Sequence, residues 1–260
     1  MRKLLFALAL ASAAFPQAPT IPPPIIQITC KPGSAGGPTR AYAGAKAAVD
    51  VVGLAAATGL PQTWMVELHA NFASLEDLDK ALRLQAPERQ PSDSFGQPQE
   101  DLLAPPRTMI ALYEHAWSYR PDEAVRLLPK ARYMFVTIHR LRTGLEGDFA
   151  ELVRLRKLTN DSVNLDRPEL AYHVISGAAS GTYIILSPVN TLRVIDDGVA
   201  DVPVYAEPVA DARAKAAPKA ADIEIGREHL LFRVEPRLSY VSDDFAAADE
   251  EFWRGKAPAQ

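Results

Sequence analysis

Apolar residues recur along this chain in two rhythms. Tyr133 to Leu141 (YMFVTIHRL) is dense in β-branched and aromatic residues and reads as a strand. From Asp148 to Leu158 the period lengthens: Phe149, Leu152 and Leu155 form one stripe of a helix, and Pro168 closes the connection. Ala171 to Ser176 and Thr182 to Leu186 read as two strands joined by Gly177-Ala178-Ala179-Ser180-Gly181, a turn whose glycines accept positive φ. A short helix is expected from near Asn190, and Leu230 to Glu235 is the last strand. The earlier part follows the same order. Ile25 to Thr29 is a strand, and Tyr42, Ala45, Val49 and Val52 fall on one helix face. A weak Ala-rich strand near Leu54 to Ala57 turns into Thr63 to Leu68. Ser74 then caps a helix, with Asp77 three residues on and Leu75, Leu78 and Leu82 as its stripe; Arg107 to Glu114 closes the set.

The same order twice implies a repeat. Thr63-Trp64-Met65-Val66-Glu67-Leu68 matches Thr182-Tyr183-Ile184-Ile185-Leu186-Ser187 at an offset of 119, which makes Trp64 and Tyr183 equivalent. Met109 to Tyr119 matches Leu230 to Tyr240 at an offset of 121: Glu114, Ser118 and Tyr119 return as Glu235, Ser239 and Tyr240. Ile25 to Gly33 matches Val136 to Gly144 more weakly, at 111. Each unit reads β-α-β-β-α-β, the split βαβ motif. The expected fold class is α+β: two tandem ferredoxin-like units packed sheet to sheet as a barrel-like pseudo-dimer, because one unit leaves a bare apolar sheet face. The boundaries are a first unit at 25–120, a connector at 121–131, a second unit at 132–241 and a tail at 242–260.

Thr63-Trp64-Met65-Val66-Glu67, running into Asn71-Phe72-Ala73-Ser74-Leu75-Glu76, resembles the strand-to-helix segment of the dimeric α+β barrel superfamily. Within it the chain is similar to NIPSNAP-type and antibiotic-biosynthesis-monooxygenase-type domains. The closing Pro236-Arg237-Leu238-Ser239-Tyr240 segment, through Asp249, resembles the tail of signal-bearing bacterial proteins with two such units. The likeness covers roughly residues 25–253. It implies the fold, with cofactor-free or haem-dependent oxidation among the activities such folds host. It also implies an Asn-Trp arrangement, for which Trp64 and Asn71 are the available residues.

Residues 1–14 read as a signal peptide: Arg2 and Lys3, then Leu4 to Leu10, then small residues. The expected address is therefore exported, periplasmic or extracellular. A Pro-rich leader at 15–24 is expected to act as a tether. The 260 residues carry 28 Lys+Arg against 32 Asp+Glu, an acidic balance that argues against nucleic acid as a partner. No apolar run after the signal is long enough to span a membrane. The single cysteine, Cys30, excludes a disulfide framework or a Cys-based zinc cluster and reads as a buried thiol.

No phosphate loop, H-E-x-x-H or G-x-S-x-G is present. Strand alternation instead nominates polar residues for a central cavity. Phe135, Thr137 and His139 share one face; Met65, Glu67 and His69 another; Leu231, Arg233 and Glu235 a third. The candidate cavity-lining set is Glu67, Glu114, His139, Arg233, Glu235, Trp64 and Tyr183. A carboxylate or imidazole there would serve as acid or base, while charged strand residues equally face solvent or pair with one another. His69 and His115 lie near strand ends, where haem or a metal is conceivable, but the five histidines show no ligand spacing; His173 and His229 read as structural. No cofactor is required by the sequence. The expected ligand is a small apolar or aromatic molecule held between the units, with turnover left open and an envelope interaction module as the third reading. Residues 86–106, with five prolines, and 197–226, with a helix near Val209 to Ala217, read as lids or inert extensions.

Overall fold

The computed structural model describes residues 21–33, 49–72, 74–84, 106–194 and 207–255. The signal peptide, the helix positions Tyr42 and Ala45, most of the proline-rich segment and the start of the Ala-rich one lie outside them.

Eight antiparallel strands close into a barrel: β1 (Ile25–Pro32), β2 (Asp50–Ala56), β3 (Gln62–His69), β4 (Arg107–Tyr113), β5 (Tyr133–Leu141), β6 (Leu170–Ser176), β7 (Thr182–Val189) and β8 (Glu224–Val234). The order around the barrel is β1-β3-β2-β8-β5-β7-β6-β4. Each half therefore runs fourth, first, third, second, and the halves meet edge to edge at β2–β8 and β4–β6. The helices are α1 (Leu75–Leu84), α2 (Pro121–Leu127), α3 (Glu146–Ser162), α4 (Glu207–Ile223), α5 (Asp243–Ala246) and α6 (Glu250–Arg254).

Two expectations about elements change. Val52 belongs to β2 and not to a helix, since Asp50 to Ala55 pair with β3. The last strand begins at Glu224, six residues before the apolar run, because β5 offers a long edge that pairs with it from Tyr133 to Leu141. The β6–β7 turn behaves as the sequence indicates. Gly177 has φ of 84°, and a Cβ there would overlap the Thr108 carbonyl oxygen and lie 2.9 Å from Met109 Cα.

The lumen is solid. All eight strands contribute to one buried cluster, among them Ile26, Ile28, Leu54, Trp64, Val66, Ala111, Val136, Tyr172, Ile184 and Phe232. Leu128 from the connector and Phe245 and Trp253 from the tail join it. Among the described residues the cluster surrounds a void of about 10 Å³, lined by Val52, Leu54, Val66, Leu128 and Met134 among others. A void of that size is far below the volume of a small-molecule site. The expectation of a ligand cavity between the two halves is corrected by this filling.

The repeat at offset 121 reappears as hydrogen bonds. Ser118 Oγ donates to the Glu114 carbonyl (2.9 Å) and accepts from Ala171 N of β6 (2.9 Å). Ser239 Oγ donates to the Glu235 carbonyl (2.7 Å) and accepts from Gly53 N of β2 (2.9 Å). Tyr119 bridges Glu169, and Tyr240 bridges Val51. Each half thus fastens its last strand to the other half through the same serine and tyrosine. The offset of 119 does not survive. Met109 and Leu230 pair with Ile28 and Val136, which in turn pair with Val66 and Leu186. The counterpart of Trp64 is therefore Ile184, one residue beyond Tyr183, and a one-residue slip reverses the face of a strand.

The connector and the last residues of the leader are docked. Trp253 Nε1 donates to the Pro129 carbonyl (2.6 Å), and Arg132 lies over the Phe252 ring at 3.7 Å while pairing with Asp249. Pro23 and Pro24, expected in a tether, are held by carbonyl contacts to the Tyr172 hydroxyl (3.2 Å) and Tyr113 N (3.0 Å).

Candidate functional site

The useful concavity lies outside the barrel, between the outer face of the second half and its two helices. It encloses about 510 Å³. The floor comes from β5 and β8, whose register fixes cross-strand rows. His139 stands opposite Tyr183 on one side and Arg227 on the other; Thr137 stands between Ile185 and His229; Phe135 stands between Ser187 and Leu231. Helix α3 supplies the roof with Phe149, Leu152, Val153, Leu155, Arg156, Thr159 and Asn160, and α4 adds the small Ala216 and Ala220. Arg167 and Glu169, just ahead of β6, form the side wall.

At one end sits a buried pair. His139 is 5% exposed, and its Nδ1 lies 3.5 Å from Glu224 Oε1. Neither ring nitrogen makes a geometric hydrogen bond, and the ring meets Phe149 at 5.1 Å. Burial lowers the His139 pKa below the ordinary imidazole value, against an opposing pull from Glu224. Burial would raise Glu224, but His139 and Arg227 together hold it down to about 2. A neutral imidazole backed by a carboxylate follows, the arrangement of an oriented base. Arg227 also bonds Glu224 through Nε (2.8 Å).

The side wall is cationic. Arg156 Nη2 lies 3.0 Å from Glu169 Oε2 without an aligned hydrogen bond, and Arg167 Nη2 is 4.0 Å from Oε1. The Arg156 and Arg167 Nε groups are buried without partners. Thr137 Oγ1 and His229 Nδ1 are 3.2 Å apart, and burial, followed by Arg227, lowers the His229 pKa.

Of the seven residues expected to line a central cavity, His139 alone lines this cleft. Trp64 points into the lumen against Phe232 (4.9 Å) and donates to Gln62 Oε1 (3.0 Å). Tyr183 faces outward in a second cluster with Trp117, Phe149 and Ile185, stacked on His173 at 4.5 Å. Glu67 faces outward in the first half, accepting from Gln27 (3.2 Å) and lying 3.6 Å from His69. Arg233 pairs with Glu235 at an exposed strand end, and Glu114 sits in the turn after β4. The cause is parity: Glu67, His139 and Tyr183 alternate with residues that fill the lumen, so their faces look away from it. His69 and His115, the positions considered for haem, do not line the cleft, so the residues first linked to haem do not fit it there. Among the described residues, no group of three His, Cys, Asp or Glu side chains could hold a metal ion.

The sequence reading missed Arg156, Arg167, Glu169, Glu224 and Arg227. The available signal was the alternation of Arg227, His229 and Leu231 opposite His139, Thr137 and Phe135, visible once β8 is extended toward Glu224.

Among the described residues, no helix is long and apolar enough to cross a membrane. No protein-family model matches the sequence, and no curated protein matches it. Solved structures do. An anthrone oxidase-like protein is similar over 91% of this chain and 97% of its own, at 11% identity and a TM-score of 0.52. A variant of chlorite dismutase from Candidatus Nitrospira defluvii covers 88% of this chain and 95% of its own, at 8% identity and a TM-score of 0.45. A protein classed provisionally as a monooxygenase, from Lactobacillus acidophilus NCFM, covers 84% and 99%, at 7% identity and a TM-score of 0.41. The first of these likenesses bears on fold alone: the chain is an α+β protein built on an eight-stranded antiparallel barrel.

Proposed function

We propose that this chain binds a small, flat, largely apolar molecule in the cleft between the outer face of its second half and helices α3 and α4. We read the barrel as two ferredoxin-like units in tandem, of the NIPSNAP and antibiotic-biosynthesis-monooxygenase kind, exported to the periplasm or beyond. The matching strand orders and the paired Ser118 and Ser239 bonds support the tandem reading. One observation carries the binding reading. The cleft holds about 510 Å³ under an apolar roof, whereas the lumen holds about 10 Å³. Ligand pockets run to roughly 300–1,000 Å³ with apolar walls and few polar groups.

The test is titration with neutral 2-naphthamide, followed by tryptophan fluorescence, since Trp117 touches Phe149 at 4.9 Å. Saturable quenching in the wild type is expected, and its loss in Ala220→Trp, which fills the cleft, with thermal unfolding retained. Equal binding by A220W, or none by the wild type, overturns the reading.

A second reading, turnover by an oxidoreductase, is favoured by the His139–Glu224 pair. His139 Nε2 would take a proton from an acidic C–H of a flat substrate such as anthrone. The resulting carbanion would pass electrons to dioxygen, giving the quinone and water. Oxygen uptake abolished in His139→Ala, with 2-naphthamide binding intact, is the expected result; equal uptake in H139A refutes it. If neither binding nor uptake is found, a cell-envelope interaction role is what remains.

A further inference from the structure

We infer that the ligand of this cleft is an organic anion: a flat apolar body whose carboxylate or phenolate oxygen is held at the cationic side wall by Arg167 and Arg156. The inference rests on the cleft being a binding site and names the chemistry that the site selects.

The cleft does not end at its first chamber. A second, of about 250 Å³, adjoins it and shares Thr137, Arg167, Glu169 and His229 with it. These four side chains form a polar waist. Beyond the waist the second chamber is lined by Phe135, Ile185, Leu230 and Leu231. Before it, the apolar part of the first chamber's roof is Phe149, Leu152, Val153, Leu155 and two alanines, beside Arg156, Thr159 and Asn160. Successive same-face rows on a strand are about 7 Å apart. From the His139 row through the Thr137 row to the Phe135 row the floor spans about 14 Å, the length of a fused-ring system. An apolar body lying along it passes its middle beneath Arg167, whose guanidinium also lies over Phe135 at 5.7 Å.

The charges of the first chamber are out of balance. Three guanidiniums (Arg156, Arg167, Arg227) and two carboxylates (Glu169, Glu224) line the first chamber. Glu224 is engaged by Arg227 and faces His139. Glu169 is shared between Arg156 and Arg167, at 3.0 and 4.0 Å. One positive charge is left over, and the nearby imidazoles do not add to it, since burial keeps His139 and His229 toward their neutral forms. The unpaired donors belong to the two arginines that flank Glu169, whose Oε2 also lacks a hydrogen bond. Arg156 Nε and Arg167 Nε are both buried without an acceptor. A buried cationic N–H without an acceptor is costly, and a guanidinium presents its donors in a fork suited to a carboxylate. An anionic oxygen between Arg167 at the waist and Arg156 in the first chamber gives an acceptor to donors that a neutral body leaves bare, and it balances the excess charge.

Two probes of one shape separate this inference from the reading beneath it. 2-Naphthoate and neutral 2-naphthamide are titrated into the full chain at pH 7, at low and at high salt. The expected result is naphthoate binding about ten-fold tighter, the scale of one charge-assisted hydrogen bond, with the margin shrinking as salt rises. In Arg167→Gln the ratio of the two affinities falls to about one, Arg167→Lys retains part of the margin, and thermal unfolding shows both variants folded. Equal affinities for the two probes in the wild type overturn anion recognition and leave the cleft reading standing. Binding of neither probe removes both.

Discussion

Substituting Gly53 by alanine tests how the barrel is closed. Gly53 lies in β2, directly under the turn Pro236–Leu238 that follows β8. A Cβ built there would overlap Leu238 Cβ and lie 2.7 Å from the Leu238 carbonyl carbon and oxygen. Ordinary carbon contacts are about 3.5–4.0 Å, and the obstructing atoms are backbone, so no rotamer change relieves them. The turn must rise by about an ångström. It is held by Gly53 N donating to Ser239 Oγ (2.9 Å) and by Glu235 N donating to the Gly53 carbonyl (2.9 Å). Both bonds stretch when it rises. Two hydrogen bonds at about 1 kcal/mol each, with overpacking of about 1–3 kcal/mol, give a loss of about 3–5 kcal/mol. For a chain of this size each kcal/mol lowers Tm by about 2–4 °C, so a fall of at least 6 °C is expected in calorimetry. Ser239→Ala is the control: it removes one acceptor without a clash and should cost about 1 kcal/mol. Urea unfolding of G53A within 0.5 kcal/mol of the wild type would show that the turn is not fixed against β2, and the account of closure would fall.

Ser118→Ala should cost more than Ser239→Ala, about 1–3 kcal/mol by urea unfolding, because Ser118 is fully buried and its loss strands the Ala171 amide. His69 is buried, and burial lowers its pKa from 6.5 to about 4. The unfolded chain therefore binds the extra proton first: stability is full above pH 6.5 and falls as pH drops toward 4, by about 2–3 kcal/mol. His69→Gln should flatten that slope in melts across the window. Trp253→Ala removes a side chain that is 9% exposed and bonded to the Pro129 carbonyl; a loss of about 3 kcal/mol and earlier proteolytic clipping of the tail are expected.

Much of the second half was legible because its strands are dense in β-branched and aromatic residues. The run Tyr133 to Leu141 is β5 to the residue, and β6, β7 and α3 fall within a few residues of their expected places. Two things stayed hidden, for related reasons. The strand β7 is buried at all eight positions and β3 at seven of eight. With both faces buried, the alternation of Trp64, Val66 and Leu68 with Met65, Glu67 and His69 does not tell lumen from outer layer, and the polar set falls on the outer face. The start of β8 was hidden because Glu224, Arg227 and His229 are polar residues of the cleft. A strand that lines such a site lacks the apolar run by which strands are recognised, so the site concealed the element that carries it.

The meeting of β2 and β8 is brief: Leu54, Ala55 and Ala56 against Val234, Arg233 and Phe232. Within the second half, β5 and β8 pair along nine residues. A ring whose halves are each well knit but joined by so short a hem has an interchangeable partner, the same half of another molecule. At high protein concentration two chains can trade halves across the 121–131 link, and each resulting ring would be built from both chains with the β2–β8 and β4–β6 pairings kept, at the cost of rearranging the link itself. Such an exchanged pair would sediment as twice the mass while keeping the circular dichroism of the single chain.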